Sequence, residues 1–397
     1  MSGVVRWKSY LNWILDTYTK KKVKKELKHL LWISLYQISF MKKGAHYIVK
    51  ESVDYAKHEH NDFIAGFVNA ALRNFIRETE SIHYRPYPDI HESKSFNNVK
   101  LPEERQFQIS NLSVIYSFPE WLVARWLKRF GYDVTKKLLT VLNDPPEFGI
   151  RVNLGKISRD EVICHLESKG VTAKKGSFME SALYVDKLSI VLKDELFKNG
   201  FIHIQDEASQ LAGFSMWTRK NGFLLDACAG KGTKTEQMKE CFQGQIIFAM
   251  DNEMRRLKLI NPQIMRVKGD ATLCPFKDDT FDAILLDAPC SSLGIVRKHP
   301  EIKWRRNKSN IIMFSDYQFD LLKSLWPKLK KGGHLVYSVC SFEPEETYNV
   351  IERFKKEERF VLENPLPFLF NKKTAYYLSL PHETAMDGFF ITRLKKI

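Results

Sequence analysis

From Gly200 onward the chain alternates short apolar runs with turns and helical stretches, and this rhythm constrains its fold more than any other feature. The runs Phe223–Asp226, Gln245–Asp251, Ile264–Asp270, Phe281–Asp287, His334–Cys340 and Gly388–Leu394 have the length and apolar content of buried strands. Strands that alternate with helices in this way predict an α/β class with a doubly wound, mainly parallel sheet. Ligands in such sheets sit beyond the carboxyl ends of the strands. There the runs place Asp226, Asp251, Asp270, Asp287 and Cys340.

At 397 residues the chain exceeds what one hydrophobic core normally holds. Residues 1–80 read as all-helical. Between Asn61 and Arg77 the pairs Phe63/Ile64, Phe67/Val68, Ala71/Leu72 and Phe75/Ile76 recur every four positions. That predicts a helix with these pairs on its core face and Asn61 or Asp62 as its cap. Another helix is expected over Glu26–Met41, after the basic run Lys20, Lys21, Lys22, Lys24 and Lys25. Residues 81–105 are polar, contain Pro86, Pro88 and Pro102 and lack an apolar period, so they read as a linker. Residues 106–200 read as a small mixed α/β domain. It holds a helix opening at Pro119 and ending at Gly131, a strand over Phe148–Asn153, and a helix from Ser158 to Lys169 stopped by Gly170. Residues 201–397 carry the parallel sheet.

Lys and Arg total 62 against 47 Asp and Glu, a formal charge of +15 that suits a polyanionic partner. No charged leader precedes an apolar core, and no apolar run approaches the roughly 20 residues of a membrane span. A soluble, cytoplasmic monomer without membrane contact is therefore expected. The six cysteines are scattered, without Cys-x-x-Cys or Cys/His pairs at zinc spacing. This argues for free thiols in a reducing compartment and against a metal site. Cys164, Cys241 and Cys274 are expected to be ordinary buried thiols.

The strand Phe223–Asp226 runs into the small-residue turn Cys228, Ala229, Gly230, Lys231, Gly232, Thr233 and Lys234. Such a turn lets a ligand approach the backbone at a helix N-terminus. A P-loop needs glycine directly before Lys-Ser/Thr, and a dinucleotide fingerprint needs a third glycine; the turn has neither. Asp251, about 20 residues past the turn, is placed to accept both hydroxyls of a ribose. Asp270 is placed to hydrogen-bond an adenine amino group. Together these carboxylates favour a cation bearing a sulfonium over a diphosphate. For any one strand-end Asp, capping a turn is an equal alternative.

The most informative pair is Asp287-Ala-Pro289-Cys290 after the fourth strand and Ser338-Val-Cys340-Ser341 at the end of the fifth. The C5 atom of cytosine is too electron-poor to take a methyl group directly, so a nucleophile must first add to C6. A thiolate suits that addition, being strongly nucleophilic at modest basicity and able to leave again. Asp287, as a carboxyl group that is protonated or shares a proton with the base, can stabilise the charge that accumulates at N3. Methylated C5 must then lose its proton, which gives the second cysteine a role in acid/base release. Spacing leaves open which thiol does which.

With these residues the chain resembles the RNA cytosine-C5 methyltransferase family, whose cofactor turn runs Asp-x-Cys-Ala-Ala-Pro-Gly-Gly-Lys-Thr and whose signature contains Asp-Ala-Pro-Cys-Ser. Within that family it is similar to the Sun/Fmu (RsmB) branch, which modifies 16S ribosomal RNA. The likeness runs over nearly the whole chain, through Gln205 to Ser209, Leu286 to Gly294, Arg297 to Trp304 and Met386 to Phe390. Leu35-Tyr36-Gln37 and Gly66 to Arg73 resemble the NusB-type RNA-binding domain of that branch. The resemblance implies a Rossmann-like class I methyltransferase domain preceded by a helical NusB-like domain and a small linking domain. It also implies S-adenosylmethionine as cofactor, no metal, Cys340 as nucleophile and Cys290 as the residue that assists release. The cofactor pocket it implies is lined by Cys228 to Lys234 with Asp251, Asp270 and Asp287. Lys231 and Thr233 depart from the pattern by replacing Pro and the second Gly, and Val339 stands where Thr precedes the nucleophile. Gly3 to Arg6 match an internal stretch of the NusB-type domain, so that domain is expected to be truncated at its N-terminus.

Arg297, Lys298, Lys303, Arg305 and Arg306 form a basic stretch beside the active-site loop and are expected to contact RNA phosphate. Transfer RNA or another RNA is the alternative substrate, because the residues themselves do not choose. A non-catalytic RNA-binding factor would leave the paired cysteines and the strand-end acids unexplained. A DNA cytosine methyltransferase would carry Gln after its Pro-Cys, where this chain has Ser291. A nicotinamide oxidoreductase would need the missing third glycine.

Overall fold

Asn61 starts the helix Asp62–Ser81, its side-chain oxygen accepting the Ile64 N–H at 2.9 Å. In the computed structural model, which describes residues 2–19, 23–41, 44–81, 102–218, 222–369 and 374–397, this helix buries Ala65, Val68, Leu72 and Phe75. Phe63 departs from the expected core face at 82% exposed, because it falls outside that i, i+3, i+7, i+10 stripe. The stripe packs with Tyr10, Leu11 and Ile14 of the helix Lys8–Tyr18 and with Leu31 and Leu35 of the helix Lys25–Phe40. Lys20, Lys21 and Lys22, and residues 82–101 of the expected linker, lie outside the described residues.

These helices belong to a compact unit of Met1–Asp144 with His299–Arg305. It reaches further than the expected helical domain because the helices Pro102–Ile115 and Glu120–Asn143 pack into it. Ser9 donates its N–H to the Ser117 hydroxyl at 2.8 Å, and the Arg6 guanidinium donates to the carbonyls of Asn143 and Asp144 at 3.0 and 2.7 Å. Gly131 ends its helix as expected, and a second helix follows. The glycine adopts φ 76°, kinks the chain, and helix resumes to Asn143, because Leu138, Leu139 and Leu142 offer a second apolar face that is fully buried.

Lys303 is also fully buried in this unit, which corrects its expected place against phosphate. Its ammonium lies 3.8 Å from the centre of the Phe118 ring and 3.3 Å from the Asn143 side-chain oxygen. Burial, with Arg6 nearby, holds its pKa well below the ordinary lysine value. The unfolded chain therefore binds this proton more tightly. The contribution of Lys303 to stability is complete above the unfolded value of about 10.4 and is lost as pH falls toward the folded one, at about 1.4 kcal/mol per unit of displacement. Between about pH 7 and pH 9.5 the thermal midpoint is expected to rise more in the unmodified chain than in Lys303→Met. Parallel pH profiles for the two proteins would remove this buried charge from the account.

The other unit comprises Pro145–Lys298 and Arg306–Ile397. Strands β1 (Phe148–Val152), β2 (Ala173–Lys175), β3 (Ala182–Val185) and β4 (Ile202–Ile204) form an antiparallel sheet in the order β2-β3-β1-β4. Its helix Arg159–Ser168 begins with a Ser158/Glu161 capping box, and the chain turns at Gly170 with φ 72°.

The main sheet holds β5 (Phe223–Asp226), β6 (Ile246–Asp251), β7 (Met265–Lys268), β8 (Phe281–Asp287), β9 (Leu329–Val339), β10 (Phe360–Glu363), β11 (Tyr376–Ser379) and β12 (Phe389–Lys396). Their order is β10-β12-β9-β8-β5-β6-β7, with β11 also paired to β12. Strands β5 to β9 pair in parallel, and β12 runs antiparallel to β9. Both faces are covered: Leu225, Ile284 and Leu286 pack into one core, Leu224, Ala283 and Leu285 into another. This is the doubly wound, Rossmann-like fold expected from the apolar runs. β7 ends at Lys268 and leaves Asp270 in the following turn. β10 and β11 were not singled out in the sequence; both are short and partly exposed, although Phe360–Leu362 is an apolar run as long as that of β5. From β5 the chain moves to β6 and β7 on one side and then to β8 and β9 on the other, so a switch point opens beside β5.

Candidate active site

At the end of β5 the backbone enters left-handed conformation twice, at Gly230 (φ 56°) and Gly232 (φ 84°), before the helix Thr233–Cys241 begins. A Cβ at Gly232 would lie 2.6 Å from Ile260. Asp251 accepts the Gly230 N–H at 2.9 Å, and the Thr233 carbonyl accepts from Arg151 at 3.1 Å. Below this turn, at the switch point, lies a cavity of about 400 Å³. Of the turn only Cys228 and Gly230 line it. Ala229, Lys231, Gly232, Thr233 and Lys234 do not, because the two left-handed glycines carry the chain away from the cavity, and Lys231 is exposed.

Asp251, Asp270 and Asp287 all line the cavity. Asp251 also organises its own turn, accepting the Glu253 N–H at 2.8 Å. One oxygen of Asp270 accepts the N–H and the hydroxyl of Thr272 at 2.9 and 2.8 Å. For that oxygen the turn-capping alternative holds. Asp287 is clamped between the Lys234 ammonium at 2.5 Å and the Ser338 hydroxyl at 2.8 Å. Lys234 thus enters the site through Asp287. Burial, with Asp226, Asp287, Asp251 and Asp270 around it, pushes the Cys228 thiol far above its ordinary value, which disfavours its thiolate.

The register of the sheet brings the two motif cysteines together. β8 pairs with β9 so that Asp287 faces Ser338, and the Ala288 N–H donates to the Ser338 carbonyl at 2.9 Å. The chains then leave the sheet side by side, and the sulfurs of Cys290 and Cys340 lie 3.2 Å apart, both on the cavity wall. They are not equivalent. Hydrogen bonding from the Cys290 thiol lowers the pKa of Cys340, and the Ser292 hydroxyl, 3.5 Å from its sulfur, acts in the same sense. The same bond to Cys340, with burial, raises Cys290. Of the remaining cysteines, Cys274 is buried as expected, whereas Cys164 and Cys241 are exposed.

The basic stretch is mostly internal scaffolding. Lys298 bridges Asp206 and Asp387, the latter at 2.7 Å, and so joins three distant sequence motifs. Arg297 donates to the Pro145 carbonyl at 2.9 Å, and Arg306 to the Ser291 carbonyl at 2.9 Å while lying over Phe314. With Lys303 buried, Arg305 is the member that stands exposed. The expectation of a row of phosphate contacts is corrected to that extent, because ion pairs and backbone carbonyls already occupy the other cations.

Arg256, Tyr317 and Ser292 also line the cavity and were not singled out in the sequence. Arg256 lies 3.9 Å from Asp251 and 2.7 Å from Glu253. Tyr317, on the helix Lys308–Leu325, reaches the cavity from far along the chain. Ser292 is a non-glycine residue at φ 62°, a conformation that betrays itself only in three dimensions.

A family profile described as "16S rRNA methyltransferase RsmB/F" matches residues 215–395, one described as "Methyltr_RsmF/B-like, ferredoxin-like domain" matches 118–191, and one for the NusB family matches 1–77. The chain is 30% identical to the "Probable ribosomal RNA small subunit methyltransferase B" of Bacillus subtilis, over 99% of this chain and 88% of that protein. It is 31% identical to the "Ribosomal RNA small subunit methyltransferase B" of Pasteurella multocida, over 100% of this chain and 86% of that protein. Its fold matches the crystal structure of PH0851 with a TM-score of 0.80, at 22% identity, over 100% of this chain and 88% of the other. It also matches the crystal structure of NSun6 from Pyrococcus horikoshii with SFG, with a TM-score of 0.62, at 20% identity, over 71% and 99% of the two chains. Full-length likeness and domain order agree, and the chain belongs to the RsmB/F family of 16S ribosomal RNA methyltransferases.

Proposed function

We propose that this chain transfers a methyl group from S-adenosylmethionine to C5 of one cytosine in 16S ribosomal RNA, through a covalent bond between Cys340 and C6 of that base. The observation that carries the reading is the pair of sulfurs 3.2 Å apart on the wall of a cavity that also holds Asp251, Asp270 and Asp287. The residues fit the cofactor: Asp251 and Asp270 are acceptors suited to ribose and adenine, and a wall of carboxylates suits a cation. When bound, S-adenosylmethionine supplies an electrophilic methyl group.

The Cys340 thiolate, favoured by its donors, adds to C6. The ring electrons move toward N3, where Asp287, anchored by Lys234 and Ser338, shares the proton that neutralises them. C5 is then electron-rich and takes the methyl group. Once the charge on Cys340 is consumed in a carbon–sulfur bond, the main cause raising Cys290 is gone. Cys290 can then release its own proton to water and, as a thiolate, remove the C5 proton, and the electron pair left at C5 expels the Cys340 thiolate. The coupling of the two thiols so orders the steps.

Bisulfite sequencing of total RNA from cells with and without the gene tests the proposal. One protected cytosine in 16S ribosomal RNA is expected to lose its protection in the deletion strain and regain it on complementation. A lost mark in transfer RNA would move the substrate, and an unchanged pattern would overturn the activity.

A further inference from the structure

Behind the two thiols lies a carboxylate that the mechanism above does not use. Glu346 closes the short turn Pro344–Glu346 and is fully buried. Its Oε1 accepts the Ser291 backbone N–H at 2.6 Å, and its Oε2 accepts the hydroxyls of Ser291 and Ser341 at 2.5 and 2.6 Å. Ser291 follows Cys290 and Ser341 follows Cys340, so one carboxylate grips each cysteine-bearing loop at the residue next to its sulfur. Its own backbone is fixed from below: the Tyr337 hydroxyl donates to the Glu346 carbonyl at 2.7 Å. Gln318 adds a second tie by donating to the Pro289 carbonyl at 2.9 Å.

We propose that Glu346 is the positioning residue that sets the distance between the Cys290 and Cys340 sulfurs, a statement that rests on reading these thiols as the reacting pair. The physical reason is a count of donors. Four converge on one side chain, the fourth being the Gln318 amide at 3.5 Å, and only a carboxylate offers enough lone pairs to accept all of them without a competing N–H. Burying a charge here is costly, and burial does raise this carboxyl above its ordinary value while the serines pull it back. An apolar residue would relieve that cost but would leave the Ser291 N–H and both hydroxyls buried without their acceptor. The loops would then part.

The test uses the full chain with two readouts. The first is methyl transfer to 16S ribosomal RNA. Glu346→Ala is expected to lower kcat by about 100-fold, as a displacement of about 1 Å between reacting groups does, with the KM for S-adenosylmethionine within about 2-fold. Glu346→Gln keeps the shape and one acceptor, and is expected to recover to within about 10-fold of the unmodified chain. The second readout needs no methyl transfer. Diamide oxidises the two thiols to a Cys290–Cys340 disulfide, their hydrogens passing to its N=N bond, at a rate set by how closely the sulfurs are held. That rate is expected to fall in the order unmodified, Glu346→Gln, Glu346→Ala. Should Glu346→Ala not fold, Glu346→Gln carries both readouts, and its identity with the unmodified chain in both overturns the proposal. So does a Glu346→Ala protein that folds and keeps its rate of thiol closure. If no variant, nor the unmodified chain, methylates RNA while closure slows in the stated order, the proposed function fails and the positioning role stands.

Discussion

Cys340→Ala is expected to lower turnover by roughly ten-thousand-fold and to leave no covalent bond between protein and RNA, whereas Cys290→Ala is expected to accumulate that bond. The two substitutions remove side chains that nearly touch, so loss of packing alone would make their effects alike. The asymmetry comes from the thiols themselves. Hydrogen bonds lower the Cys340 thiol and raise that of Cys290, so on the proposed reading Cys340 is the thiol that ionises first. If the proposed roles hold, no bond to C6 forms without Cys340. Without Cys290 the bond forms, the methyl group is transferred, and the C5 proton has no base to take it. Denaturing gel electrophoresis of each variant with labelled 16S ribosomal RNA and S-adenosylmethionine reads the adduct directly. A retarded band with Cys340→Ala in place of Cys290→Ala would reverse the roles.

Gly294→Ala is expected to be the most damaging change outside the thiols. A Cβ at Gly294 would stand 1.9 Å from the Gly388 carbonyl oxygen and 2.9 Å from that of Cys340, both backbone atoms that no rotamer change can clear. The same glycine donates its N–H to the Cys340 carbonyl at 3.1 Å and accepts from the Gly388 N–H at 2.9 Å. A methyl group here must therefore push apart the three segments that carry Cys290, Cys340 and the Asp387-Gly388 turn. Overpacking of this kind costs about 3 kcal/mol or more, read as a lowered midpoint in chemical or thermal unfolding, and methyl transfer should fall with it. Gly66→Ala provides the opposite sign. Gly66 lies within the helix Asp62–Ser81 with nothing within 4 Å of a Cβ, so alanine there should add about 0.5–1 kcal/mol. If both substitutions behaved alike, the close approach at Gly294 would not exist.

Much of this protein was legible before its structure because strand ends do two jobs at once. β5 and β8 were bounded as expected, since an apolar run that stops at Asp226 or Asp287 marks both the end of the strand and the start of the turn that follows it. β10 and β11 were not singled out in the sequence, and both are half-exposed edge elements whose stability comes from pairing with β12. The helix Glu120–Asn143 shows a related limit. A glycine after an apolar period reads as a stop, and Gly131 is one; what the sequence reading did not supply is the second helix beyond it, which buries Leu138, Leu139 and Leu142.

The charged residues divide more sharply. Asp251, Asp270, Asp287, Cys290 and Cys340 line one cavity because each lies at or just past a strand's carboxyl end, and that topology follows from apolar periodicity. Lys298, Lys303, Arg297 and Arg306 read as a basic surface stretch, yet ion pairs with Asp206 and Asp387, the ring of Phe118, and the carbonyls of Pro145 and Ser291 hold them. Sequence by itself determined the sheet, its switch point and the identity of the groups that face it, because local pattern sets which faces are buried. Tertiary structure alone decided which cations are free, how far apart the two sulfurs stand, and that Glu346 ties their loops, because those partners are remote in the chain and meet only when separate segments pack.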